Sequence, residues 1–386
     1  MIQRNISLII VYANMNPVIA NLVEDNDTLR FTLSGVNVSL ANALRRIMLS
    51  DILCVVFRTT PYIQNKMDIL SNTTRLNNEL IKQRMSCVPI HISDTSFPID
   101  NYEIQIYKKN ETDVIEYVTT EDIKIKDLQS DKYLSSEAVK VIFPPDKITG
   151  DYIDIARLRP KLSEDIDGEE LSLTSRLDIG SAKEDGAFNV VCTASYGYTK
   201  DTVKINDYLT KMDNDLKANG VPQETIDFKK KDWLLLGAET LSVPDSFDFI
   251  VESVGQFTNM DICHRAADVM LTKLSKFEQA IKTNPTLIAD SETTLENGFD
   301  VKLIGEDYTL GKAIEYVLYE KYYKKGIINF CGFKKPHPHI DESIIRVGFK
   351  DKTSKADLVG MLSASILALT SVFQQINDFF KPSTEE

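Results

Sequence analysis

The chain has 386 residues, 43% hydrophobic and 26% charged, the proportions of a globular protein with room for two or three domains. Its net charge of −13 and pI near 5.0 argue against a general affinity for nucleic acid or anionic membrane, both of which reward basic surfaces. Its five cysteines, at 54, 87, 192, 263 and 331, are never closer than 33 residues, which excludes a local CxxC zinc knuckle and fits buried thiols in a reducing compartment.

The first stretch, "MIQRNISLIIVYA", reads as a strand rather than a secretion signal. The several Asn-x-Ser/Thr sequons follow from an asparagine-rich composition, Asn37 among them sitting where a helix cap should be, and no apolar run approaches the ~20 residues of a membrane span. From Phe31, "FTLSGVNVSLANALRRIML" reads as a strand, a turn at glycine, a hydroxyl N-cap at Ser39 and an amphipathic helix. Leu40, Ala43, Leu44, Ile47 and Met48 share one face of that helix, while Arg45 and Arg46 fall on the far side. A strand follows at 52–59.

Residues 63–235 then read as an inserted, mainly β domain, with strand-like runs at 102–107, 114–119, 152–159 and 188–196. The first module resumes at "SFDFIVESVG" (246–255) and in a helix after Thr258, where Ile262, Ala266, Val269, Met270, Leu274 and Phe277 lie on one side. Thr258 and Asp261 resemble a capping box. Residues 284–298 have no sustained period and read as a linker, with a root-mean-square span of roughly 20 Å.

The strand–turn–helix unit returns, without a gap and 270 residues later, as "VKLIGEDYTLGKAIEYVLY" from Val301. Gly35 meets Gly305, Ser39 meets Thr309, Leu44 meets Ile314 and Ile47 meets Val317. Strands at 327–333 and 342–349 follow, then a helix from about Lys355 to Phe380 whose apolar stripe includes Leu362, Ile366, Leu369 and Phe373. The expected architecture is α+β. A first module (1–62 and 236–283) is interrupted by the insert, and a second spans 299–386. Two long helix stripes would bury each other and make an internal pseudo-dimer; independent packing of both modules on the insert is the alternative. The helix-packing residues are Leu44, Ile47, Ile262, Ala266, Leu274, Ile314, Val317, Leu362, Ile366, Leu369 and Phe373.

In the second copy Glu315 and Tyr316 replace Arg45 and Arg46, so the helix does not need the arginines in order to fold. Either they form a solvated charged face or the two halves present different surfaces to different partners, a task suited to the planar guanidinium fork. Signs of catalysis are lacking: there is no P-loop, GxGxxG, GxSxG or HExxH. His337 and His339 in "PHPH" sit in a proline-stiffened loop without a cysteine nearby, and "SEDIDGEE" (163–170) lacks calcium-loop spacing. A carboxylate hydrolase built on Asp165 or Asp167 would need a cleft that sequence cannot display.

"NVSLANALRRIMLSDI" resembles the signature of the alpha-like assembly subunits of multisubunit RNA polymerases: bacterial alpha, archaeal D and the eukaryotic third-subunit type. "LNNELIKQRMSCVPI", "VTTEDIKI", "IDIARLRP", "LDIGSAKEDGAFNVVCTASYGY" and "FDFIVESVG" resemble that type in its order, and "GEDYTLGKAIEYVLYEKY" through "KKPHPHIDESIIRVGF" resembles the eleventh-subunit, or archaeal L, type. The resemblance implies a fusion of two subunits that are elsewhere separate, as in some large cytoplasmic DNA viruses. It implies a non-catalytic platform on which the two large catalytic subunits assemble, with small subunits alongside and no sequence-specific nucleic acid or membrane contact. Arg45 and Arg46 would meet the second-largest subunit; Glu315 and Tyr316 would face the largest. The compartment would be the virion and host cytoplasm for a virus, otherwise the nucleus. Many third-type subunits hold zinc, and some archaeal relatives an iron–sulfur cluster, in the insert; Cys87 and Cys192 are too few for either, so no metal or cofactor is expected. An unrelated two-module protein-interaction scaffold is the alternative.

Overall fold

The computed structural model describes residues 15–161, 163, 167–292 and 297–381. The strand expected over Met1–Ala13 lies outside the described residues. Among the described residues the helices are α1 (Val38–Ser50), α2 (Asn78–Ser86), α3 (Ser136–Ile142), α4 (Thr202–Ala218), α5 (Gln223–Leu236), α6 (Asn259–Thr283), α7 (Tyr308–Leu318) and α8 (Lys355–Phe380). The chain forms two compact units. One contains the residues up to Met48 with 193–252 and 259–386; the other contains 49–192 and 253–258.

The first unit holds two four-stranded sheets with one topology. In order they are Val18–Asp25, Thr28–Ser34, Ser242–Ser253, Val191–Lys200, and Ile288–Asp290, Gly298–Ile304, Glu342–Phe349, Ile328–Lys334. Leu33 pairs with Phe247 in one sheet and Leu303 with Ser343 in the other, so the antiparallel register is also repeated. Each central strand ends at a glycine with positive φ, Gly35 at 74° and Gly305 at 71°. The Gly35 N–H donates to Asp245 O and the Gly305 N–H to Asp341 O, both at 2.9 Å. A side chain at Gly35 would also strike Asn16 O, 2.1 Å from an ideal Cβ.

This topology corrects three expectations. The first sheet takes its fourth strand from Val191–Lys200, within the span read as insert, whereas Cys54–Val56 pairs with Asp178–Gly180 in the second unit. The interruption therefore falls between α1 and that fourth strand, and 49–192 rather than 63–235 form the separate body. An apolar run indicates a strand but not the sheet it joins. Residues 202–236 are also helical rather than β: α4 and α5 form a hairpin around a Tyr208–Trp233 stack at 4.2 Å. Finally, part of the 284–298 linker forms the edge strand Ile288–Asp290, too short to show a period.

The long helices α6 and α8 pack along each other. Phe380, at the end of α8, meets Phe31 of the first module's sheet edge-on at 5.1 Å, and Phe31 stacks on Phe249 at 5.0 Å. No apolar run in α8 is unbroken over ~20 residues, but an 18-residue window of it, with a mean hydropathy of 1.7, is apolar enough by length and composition to cross a membrane. Its buried stripe is covered by α6 and α7.

In the second unit the strands Met67–Asn72, Glu170–Arg176, Tyr102–Lys109, Ile123–Asp127 and Lys132–Tyr133 form one antiparallel sheet in that order. Its core joins Phe57, Met67, Ile81, Met85, Ile104 and Leu173. The buried Arg58 is paired with Asp178 at 2.5 Å and with Glu184 at 2.9 Å, which neutralises a charge that burial alone would make costly.

Candidate functional site

The strongest candidate is the helix interface where the two modules of the first unit meet. All eleven packing residues, Leu44, Ile47, Ile262, Ala266, Leu274, Ile314, Val317, Leu362, Ile366, Leu369 and Phe373, are at most 1% exposed. At about 25 cal/mol per Å² of apolar surface, burying one such leucine or phenylalanine side chain stabilises by about 1.5–3 kcal/mol. Polar groups complete the seam: Asn377 Nδ2 donates to His264 O at 3.2 Å, and His264 Nδ1 lies 3.1 Å from Asn377 O. Lys273 of α6 pairs with Glu306, just before α7, at 3.0 Å.

Helix α1 is capped at Asn37, where the sequence places a cap, and not by the Ser39 hydroxyl. Asn37 Oδ1 accepts from Ser39 N, and Asp307 Oδ1 from Thr309 N, each at 2.9 Å. An Asx side chain reaches the N–H two residues on, so it displaces the hydroxyls expected to cap these helices. In the second module the Thr309 hydroxyl instead accepts from Arg46 Nε at 2.9 Å. Arg46 also donates through Nη2 to Asp307 Oδ2 at 2.7 Å. The guanidinium thus spans from α1 to the first turn of α7, where Asp307 already sits against the positive end of the helix.

Burial pushes the Asp307 carboxyl up, but the Thr309 N–H and hydroxyl, together with Arg46, outweigh it and hold the group below its usual value. The other three proposed docking residues lie apart from this clamp. Arg45 bonds Asn42 at 2.9 Å, and Glu315 pairs with Lys312. Tyr316 is half-buried; burial raises its phenol to about 12, with the carboxylates of Glu320 and Asp245 adding to the shift. Asp245 is the partner of the Gly35 turn, so Tyr316 stands towards the start of α1 as Arg46 stands towards the start of α7.

The reasoning from sequence missed Asp307, Glu306, Lys273, His264 and Asn377 as interface residues. One signal was available: at the 270-residue offset Asn37 meets Asp307, two Asx caps in a row of matched apolar positions. Among the described residues no group of three or more His, Cys, Asp or Glu is placed to hold an ion. His337 and His339 are exposed, with rings 5.0 Å apart, and His337 Nδ1 accepts from His339 N. Burial raises the Cys54 thiol to about 12 and that of Cys331 to about 12, which keeps both protonated and unreactive. Asp167 is exposed and paired with Lys109 at 2.9 Å, while Asp165 lies outside the described residues.

Comparison with known proteins agrees with this geometry. Residues 30–274 match the RNA polymerase Rpb3/Rpb11 dimerisation domain, and residues 299–378 match an Rpb3/Rpb11 dimerisation domain again. The DNA-directed RNA polymerase subunit Rpo3 of Pyrococcus horikoshii is 24% identical over 66% of this chain and 94% of its own length. The rpac1 subunit of RNA polymerases I and III of Dictyostelium discoideum is 22% identical over 67% of this chain and 80% of its own. Rpo3 of Thermococcus kodakarensis reaches 31%, but over 21% of this chain and 29% of its own length. The first module's match contains the whole second unit, and the second match begins at residue 299, within the strand Gly298–Ile304 of the second sheet. The chain belongs to the RNA polymerase Rpb3/Rpb11 dimerisation-domain family and carries that domain twice.

Proposed function

We propose that this chain is a non-catalytic assembly subunit of a DNA-directed RNA polymerase, in which one polypeptide does the work of two alpha-like subunits. What supports the reading is that two dimerisation domains of one family share a single buried helix interface within one compact unit. Covalent linkage keeps each module at an effective concentration of about millimolar for its partner, so pairing precedes and does not depend on encounter. The paired modules then offer a platform to the largest and second-largest subunits, with small subunits alongside.

On this reading the chain works in an intracellular reducing compartment. Arg45 docks the second-largest subunit, and Glu315 with Tyr316 docks the largest. Arg46 is divided between the internal clamp and that surface, so Arg45 is the cleaner probe. The test is affinity capture from the native source with mass spectrometry, comparing wild type with Arg45→Glu and Glu315→Lys. Wild type should recover both large subunits, Arg45→Glu should lose mainly the second-largest, and Glu315→Lys mainly the largest. Recovery of no large subunit by the wild-type chain ends the assembly reading.

A further inference from the structure

A groove in the second unit reverses the charge of the chain around it. Arg75, Arg84, Arg157 and Arg159 line one cavity of about 310 Å³, against two carboxylates, Asp154 and Glu169. They come from the approach to α2, from α2 itself, and from the strand Asp154–Leu158 and its exit, elements that pack together. Two of the arginines are pinned. Arg84 Nη2 donates to Asp154 O at 2.6 Å, and Arg159 Nε to Glu169 at 2.5 Å. Glu169 is buried at 6% exposure and also accepts from the Arg159 N–H, so its charge is spent on Arg159. The side chains of Arg75 and Arg157 make neither a hydrogen bond nor an ion pair among the described residues.

The cavity continues, through Leu76, Arg84 and Asp154, into a second of about 400 Å³. That one is walled by Leu80, Val88 and Ile153, with Leu80 45% and Ile153 43% exposed. One end therefore offers guanidinium forks and the other an apolar seat. Forked donors suit carboxylates; the pinned Arg84 and Arg159 fix the wall of the groove, and Arg75 and Arg157 keep their guanidinium donors for a ligand. A nucleic-acid backbone would need a basic stripe to follow; here the basic patch gives way to leucine and isoleucine in a chain of net charge −13.

We propose that this groove binds an acidic segment of a partner protein, with its carboxylates on Arg75 and Arg157 and one apolar anchor side chain against Leu80 and Ile153. The inference does not depend on the polymerase reading, because it uses only the second unit's own charge and shape.

The probe is a set of fluorescein-labelled dodecapeptides carrying six Asp or Glu residues and one Leu, with an Asn/Gln analogue and an analogue lacking the Leu, titrated against the full chain by anisotropy. The acidic, Leu-bearing peptide should bind tightest, and its affinity should fall with added salt. Arg75→Glu/Arg157→Glu should weaken it by roughly tenfold or more and Leu80→Ser by roughly threefold, since both alter exposed groups at a contact rim. Lys229→Glu/Lys231→Glu, an equal reversal on α5, should leave it unchanged. Circular dichroism on each variant separates lost binding from lost fold. Equal binding of the Asn/Gln analogue, no binding of any peptide, or the same loss in the α5 variant overturns the proposal. So does tighter binding of a single-stranded oligonucleotide that the Arg75/Arg157 variant abolishes, which would make phosphate the ligand.

Discussion

Helices α1 and α7 start from the same turn, bury the same positions and then part ways at their polar ones. Ala43, Leu44, Ile47 and Met48 on α1, like Ala313, Ile314, Val317 and Leu318 on α7, are at most 1% exposed. Between them lie Arg45 and Arg46 in one helix and Glu315 and Tyr316 in the other, all half-buried. Arg46 reaches Asp307 and Thr309 across the module boundary, whereas the Tyr316 hydroxyl makes no hydrogen bond among the described residues. The pseudo-twofold is thus carried by apolar spacing and broken by polar chemistry: one end is clamped by charge, the other by the burial of a ring. Two modules on one chain can keep such an asymmetry because they never exchange places.

The largest effect should come from the shared apolar layer. Phe373 of α8 and Phe277 of α6 occupy matching places, 96 residues apart like the paired strands before them, with exposures of 0% and 6%. Phe373→Ala should cost about 3–5 kcal/mol in urea unfolding, from lost transfer energy and a cavity that neighbours fill only in part. Phe277→Ala should cost less, because a partly exposed ring leaves a smaller void. Equal losses would mean that the layer is symmetric and that the long helices contribute alike.

Smaller, but more specific, is the clamp. Arg46→Ala removes the ion pair with Asp307 and the hydrogen bond to Thr309 at a site where both side chains of the pair are about one-third exposed, 35% and 33%. Screening discounts the charge, so the expected loss is about 1–1.5 kcal/mol. A double-mutant cycle with Asp307→Ala should return a coupling of about 0.5–1 kcal/mol. Tyr316→Phe, the matching change on α7, should cost almost nothing. A coupling of zero would return Arg46 to the solvated face that its charge pattern alone suggested.

The parts legible in sequence were those written in periods. The 3.6-residue spacing located α1, α6, α7 and α8 and picked eleven positions that are buried, and the 270-residue offset exposed the repeat. What stayed hidden was pairing at a distance. "VVCTASY" looks like any other strand, and nothing local says that it joins Ser242–Ser253 rather than the insert's sheet. Helices α4 and α5 bury little beyond Ile205 and Ile226, so their stripes are faint, and the expectation of β structure there went wrong. Arg46 and Asp307 are 261 residues apart, and only the folded chain brings a guanidinium to that cap.

The finest distinction between the modules is that one caps its helix with an amide, Asn37, and the other with an acid, Asp307. Asp307→Asn makes them alike. The amide's single oxygen keeps the bond to Thr309 N, but its NH2 replaces the oxygen that accepts from Arg46, so charge and acceptor are lost together and at neutral pH the variant should be less stable by about 1 kcal/mol. Because folding lowers the Asp307 pKa, the carboxylate's contribution is fully present above the unfolded value, about 3.9, and is lost as pH falls through the lower folded value. Asp178 and Asp300 are also held low, by Lys66 with Arg58 and by Arg346, so wild type alone would show acid sensitivity from several sources. The difference between wild type and Asp307→Asn cancels those other groups. Measured by urea unfolding from pH 7 down to pH 2.5, that difference should hold steady to about pH 4 and then shrink towards zero. A difference that persists unchanged to pH 2.5 would show that the Asp307 charge contributes nothing and that the variant's loss lies in the amide's own contacts.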